Sequence, residues 1–291
     1  MGIILGLLVA VGYGTSDFIG GVISRRIPSI TVVATTSVIG PIVLALVVII
    51  ETNTSHINAP TAREWLIAAG AGIGGVIGLS LLFRGYAIGR FSVVAPITAV
   101  VATLAQILWG LARGEQPSII ALIGIVITVV AAVIISQSHA APDAQTEIAI
   151  AERPALKIEL TIAIGAGLAF GFSGVAYAEA GSSNGIWPVL IARSVFCLAA
   201  VLIALAAGKR VIASRPNLGP ALLSGLIEAV ALAVFVIAIR QDFLSIVSPI
   251  AALSPAFVVL GAAALLHEPI GKIRAGGLIL ALGGLLLIAV G

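Results

Sequence analysis

Glu228 stands in GLIEAVALAVF, inside a run from Pro216 to Ile239 that is otherwise apolar enough to cross a bilayer. Arg193, in WPVLIARSVF, and Asp17, in GYGTSDF, interrupt two further runs of the same kind, and Tyr13 lies in the second of these stretches. A charged side chain at the centre of a membrane helix costs about 2.5–3.5 kcal/mol on insertion scales, so such groups face the bundle interior or a wet cavity. One cation and two carboxylates in one cavity suit a zwitterion. Arg193 could take a substrate carboxylate in a two-pronged hydrogen bond, while Glu228 or Asp17 holds an ammonium group or exchanges a proton. Tyr13 joins them as a candidate substrate-binding residue. The structural alternative is a Glu228–Arg193 pair that only fixes helix packing, with Asp17 near the interface and solvated by Arg25 and Arg26.

Pro96, Pro249 and Pro255 also fall within apolar runs. A proline removes one backbone hydrogen bond and frees a carbonyl, so each is a candidate helix bend that gates the site or a plain packing kink. Glu115 and Glu268 are expected at connections beside Arg113 and Lys272, where each caps or gates the helix that follows it. Other patterns carry no chemistry. GAGIGG at 70–75 fits a dinucleotide fingerprint, but no strand precedes it. Its glycines, like Gly12, Ser16 and Gly20, suit close helix packing instead. His56, His139 and His267 lack metal-ligand spacing, and neither a P-loop lysine motif nor a nucleophile elbow is present. The reading therefore calls for no metal, no cofactor, no nucleic acid and no enzymatic activity.

The elements that must hold these residues follow from composition. Of 291 residues 60% are hydrophobic and 9% charged, against about 25% charged in a soluble domain. Mean hydropathy is +1.23. Too few charges exist to cover a water-soluble globule of this size, so lipid must be the solvent for most of the surface. A bilayer core of about 30 Å needs about 20 apolar residues in a helix. Runs of that kind are predicted at 2–23, 30–50, 64–83, 91–112, 118–136, 158–178, 185–207, 216–239, 244–266 and 272–290. Strands are excluded because lipid leaves open edges unsatisfied. Trp65, Trp109 and Trp187 fall near predicted span ends, where an indole N–H stays wet. The first run, lacking a basic start and a clear cleavage site, is expected to be a span. Cys197 permits no intrachain disulfide and suits a small buried role.

The chain repeats itself. SVVAPITA at 92–99 faces SIVSPIAA at 245–252, and at the same offset of 153 Pro96 matches Pro249, Glu115 matches Glu268 and Gly124 matches Gly277. A polar segment at 137–157 separates a first five-helix unit at 1–136 from a second at 158–291. An odd number of spans per unit makes consecutive copies enter the membrane in opposite senses, the inverted-repeat plan of secondary transporters, with the substrate between the halves. The expected fold is therefore all-α: ten transmembrane helices in two inverted repeats around a central cavity. The first half has no arginine in its second span to match Arg193, so the halves are electrostatically unequal.

The small-residue first helix with GYGTSDF, the VVAPI and IVSPI starts of the fourth spans, the Gly-Glu and His-Glu that follow those spans, and the Gly-rich fifth spans resemble the EamA-type branch of the drug/metabolite transporter superfamily. That resemblance covers nearly the whole chain. It implies a multi-pass protein of the plasma (inner) membrane that exports or exchanges small metabolites such as amino acids, or drugs. The two leading readings are a transporter of small polar metabolites working by alternating access, with protons as a candidate co-substrate, and an exporter of lipophilic cations that uses Glu228 and Asp17 alone. The low aromatic content, 5%, argues mildly against the second. A monomer or a weak homodimer is expected. The Lys and Arg tally puts both termini outside the cell, whereas the resemblance implies that both are cytoplasmic.

Overall fold

Long apolar runs with no strand periodicity must close their backbone hydrogen bonds within themselves, and helices result. The computed structural model describes residues 1–24, 26–54, 60–88, 91–137, 156–180, 185–254, 256–257, 260 and 272–291. Among these the chain forms ten helices: α1 Gly2–Ser24, α2 Ser29–Thr54, α3 Ala62–Ile88, α4 Phe91–Ala112, α5 Ile119–Gln137, α6 Leu156–Glu179, α7 Trp187–Ala206, α8 Arg215–Gln241, α9 Leu244–Ala251 and α10 Lys272–Val290. Six regions are long and apolar enough to cross a membrane: Gly2–Ser24, Ser29–Thr52, Ala62–Leu82, Lys157–Glu179, Trp187–Ala206 and Arg215–Gln241. Shorter apolar helices run over Ile97–Ala112, Ile119–Ile134 and Ala275–Ile288. Large apolar side chains such as Leu66, Ile119, Ile279 and Leu286 stand exposed on the outside, the surface that hydrocarbon would solvate.

Small residues let the helices approach closely. The carbonyl of Thr36 on α2 lies where a Cβ on Gly225 of α8 would be, and the carbonyl of Ala192 on α7 lies where one on Gly72 of α3 would be. Gly72 and Gly225 are 153 residues apart, so the sequence repeat has the same glycine against the second helix of the opposite half in both cases. Serines do likewise. Ser16 of α1 donates to the carbonyl of Ser224 at 3.0 Å, and Ser173 of α6 donates to the carbonyl of Ala71 at 2.8 Å. Ala71 and Ser224 again share the offset of 153.

Contacts along the helices fix their directions. Glu51 of α2 meets Ile186 just before α7, and Gly40 meets Arg193, so α2 and α7 run antiparallel. Gly124 meets Gly284, while Ser118 meets Gly291, so α5 and α10 also run antiparallel. One face of the bundle gathers both ends of the chain: Gly2 abuts Asp242, Glu115 meets Leu244 and Gly291 abuts Ser118. We call it the terminal face. At the far face Thr35 accepts a hydrogen bond from the amide of Ala213 at 2.9 Å.

Three helices depart most from the sequence expectation, the first being α3, which runs on to Ile88, past its predicted end at 83. α2 runs on to Thr54, past the predicted end at 50. Among the described residues the ninth run is helical over Leu244–Ala251, turns at Ala252 and Leu253, and is helical again at Ser254, Ala256, Phe257 and Leu260. Pro249 lies inside α9 and Pro96 inside α4, whereas Pro255, Glu268 and the three histidines lie outside the described residues.

Candidate functional site

A cavity of about 260 Å³ lies within the bundle, and Tyr13, Asp17, Arg193 and Glu228 all line it. Helix α1 contributes Tyr13 and Asp17, four residues apart and so on one face. Helix α8 contributes Glu228 at its midpoint, with Leu232 and Phe235 one and two turns on. Arg193 and Phe196 come from α7, and further lining residues come from α3, α4, α6 and α9. No residue of α2, α5 or α10 reaches this cavity among the described lining.

Arg193 is 5% exposed. Its Nη2 lies 2.9 Å from Glu228 Oε1, and its guanidinium carbon sits 5.3 Å from the centre of the Phe196 ring. Its Nε is buried without a hydrogen-bond partner. A buried donor left unsatisfied costs about 1–3 kcal/mol, so Glu228 satisfies one edge of the guanidinium and the Nε donor is left unmet. Removing Glu228 would leave a buried cation uncompensated, which costs about 3–5 kcal/mol. The sequence alternative of a Glu228–Arg193 pair is therefore present as geometry, and it lies on the wall of a cavity.

Asp17 is exposed to the interior space and also borders a small adjoining pocket with Ser16, Thr36, Ser224 and Glu228. No described residue makes a hydrogen bond or ion pair to it. It shares the cavity with Glu228. Arg26 is an exposed residue in the turn after α1, and Arg25 lies outside the described residues.

Glu115 departs from its expected role of capping the helix that follows it. Its two carboxylate oxygens accept the backbone N–H groups of Leu244 and Ser245, each at 2.9 Å. Those are orphan donors at the start of α9, in the other half of the chain. Gly110 gives the carboxylate room.

Sequence reasoning missed several lining residues. Tyr177, Ser173, Gln106 and Ser248 line the cavity, and Ser248 donates to Gln106 Oε1 at 2.5 Å. Gln106 was detectable as an amide inside an apolar run, and Phe196 as the neighbour of Arg193 one helical turn on. Tyr177 and Ser173 gave no signal, because hydroxyls are common in membrane helices. Five of the fifteen aromatic residues line the cavity: Tyr13, Phe170, Tyr177, Phe196 and Phe235. The low overall aromatic content was thus a poor guide to the local one.

Helices of this length and apolarity mark a multi-pass membrane protein. The model of the EamA-like transporter family matches residues 1–137 and 157–290, and the chain belongs to that family, a branch of the drug/metabolite transporter superfamily. A crystal structure described only as that of a protein is similar in fold, with a TM-score of 0.77 at 14% identity, covering 99% of this chain and 96% of that one. Comparison with curated proteins finds no match. Family and architecture together point to a membrane transporter of small molecules rather than an enzyme.

Proposed function

We propose that this chain is a secondary active transporter, an exporter or exchanger of small zwitterionic metabolites such as amino acids, working by alternating access in the plasma (inner) membrane. The observation that carries the reading is the half-neutralised Arg193. Glu228 holds one edge of its guanidinium, the buried Nε has no partner, and the exposed Asp17 lies in the same cavity. A substrate carboxylate satisfies the unmet donor of Arg193, and its ammonium group sits against Asp17 in place of a proton. Because a zwitterion is neutral overall, exchanging it for that proton changes the cavity charge by one, so the exchange carries charge across the membrane. The volume of about 260 Å³ lies below the usual ~300–1,000 Å³ of small-molecule sites, which favours a compact metabolite. Antiparallel α2/α7 and α5/α10 support a further part of the reading: residues 1–136 and 158–291 form inverted five-helix repeats joined by 137–157.

The aromatic lining favours one second reading, export of a lipophilic cation held by ring faces. Arg193 in the same wall opposes it. Proteoliposomes decide between them. Amino acids should drive countertransport and raise the thermal stability of the purified protein, whereas a quaternary ammonium compound should do neither. Arg193→Ala and Glu228→Gln should each reach the membrane yet transport poorly. Normal transport of every tested solute by both variants removes the charged-cavity reading.

A further inference from the structure

Glu115 reaches across the molecule from the short connection after α4 to the first turn of α9, 129 and 130 residues further along the chain. Both of its oxygens are engaged by backbone N–H groups, so its grip does not depend on which side chains α9 carries. A carboxylate at a helix start also meets the positive end of the helix dipole. Further in, the same two helices meet again through Gln106 and Ser248, both on the cavity wall. A turn at Ala252 and Leu253 separates α9 from the helical residues that resume at Ser254, so the two segments can move apart. The last residue of α9, Ala251, and the following Ala252 and Ser254 line the cavity.

From these contacts we infer that Glu115 is the latch of the terminal-face gate: while it holds the N-terminus of α9, the cavity is shut toward the face that carries both chain ends. The inference rests on the alternating-access reading above. Release of the two N–H groups lets α9 swing away from α4, the Gln106–Ser248 bond parts next, and the cavity opens on that side. Glu115 touches no substrate in this scheme. It is a positioning residue that sets which face is open. Neighbouring contacts at the same face are of another kind. Arg113, mostly exposed, lies 3.0 Å from the partly buried Glu179, a pair within one face that does not reach α9.

The test reads accessibility, which needs no substrate. In a Cys197→Ala background, Ala252→Cys places a thiol on the cavity wall, and a membrane-impermeant maleimide is applied from one face at a time in oriented proteoliposomes. Glu115→Ala should raise labelling from the terminal face at least tenfold and lower labelling from the far face. Glu115→Gln keeps one accepting oxygen and should give a smaller shift in the same directions. A variant that is merely loosened would gain labelling from both faces, and that result overturns the proposal, as does labelling that neither substitution changes. Should Glu115→Ala not fold, Glu115→Gln alone carries the comparison. Lack of amino-acid transport with an intact labelling shift would count against the substrate reading and leave the latch standing.

Discussion

The two halves of the chain share a framework and divide the chemistry between them. At the offset of 153, Gly72 answers to Gly225 and Ala71 to Ser224, and both pairs make matching helix contacts. At the cavity the correspondence breaks. Arg193 answers to Gly40, Glu228 to Gly75, Tyr177 to Ser24, and Asp17 to Phe170. The large side chains meet glycine at two of these four positions. A Cβ on Gly40 would lie 3.7 Å from Arg193 Cδ, so position 40 is the space beside the stem of the arginine. Two helices that cross in opposite directions, α2 and α7, cannot both carry a long cation at that crossing. The duplication supplies the walls, and the inequality of the halves supplies the ligand chemistry.

The largest expected effect comes from breaking that inequality at its charged member. Arg193→Ala leaves the partly exposed Glu228 on the cavity wall without its partner and should destabilise the protein, seen as a lower thermal midpoint in detergent. Transport should vanish with it. The double variant Arg193→Met with Glu228→Met should regain most of the stability, since apolar replacement of a whole buried pair is often neutral, but none of the transport. Recovered transport in that variant would show that the pair serves packing alone.

The small member of the same pair sharpens the point. Gly40→Ala places a methyl at ordinary contact distance, 3.4 Å from Ala229 Cβ and 3.7 Å from Arg193 Cδ, and should transport normally. Gly40→Leu has nowhere to put its remaining atoms except the space of the arginine stem. It should lower countertransport at least tenfold while leaving the protein in the membrane, because overpacking typically costs only about 1–3 kcal/mol. Equal transport by the alanine and leucine variants would show that position 40 does not set the geometry of Arg193.

This pair also marks how far the sequence could be read. Charge in an apolar run has one physical meaning, so Asp17, Arg193 and Glu228 stood out, and the structure brings them together with Tyr13 in one cavity. The repeat register was legible in the prolines and glutamates of 92–124 and their partners. What could not be read was space. Nothing in VVATTSVIGP distinguishes Gly40 as the residue facing Arg193, because a glycine shows its purpose only through what lies against it. Glu115 was legible as a capping residue, but its target was not. Helix ends 129 residues apart come together only through the crossing of α4 and α9. The turn at Ala252 and Leu253 was hidden by the unbroken apolarity of the run.

Where the halves agree, substitutions should agree too. Gly72→Ala and Gly225→Ala each push a methyl into a backbone carbonyl of the opposite half, Ala192 and Thr36 respectively. Backbone cannot rotate away as a side chain can, so each should cost about 1–3 kcal/mol. Thermal unfolding should give two losses of similar size. A loss at one position only would mean that the shared glycines sit in unlike packing.

The smallest expected effect concerns Phe196, whose repeat position in the first half is Val43. The ring lies under the guanidinium carbon at 5.3 Å, near enough for its quadrupole to attract the cation by about 0.5–2 kcal/mol. It is also part of a buried apolar cluster with Val33, Val76 and Ala200, so its loss by itself cannot tell electrostatics from packing. A double-mutant cycle can. Phe196→Leu keeps an apolar side chain in place but removes the ring, and its stability loss should be larger in the native background than in the Arg193→Met, Glu228→Met background, where no cation remains. The difference between the two losses is the cation–ring term. If the losses are equal, Phe196 is wall and nothing more, and the arginine is held by Glu228 alone.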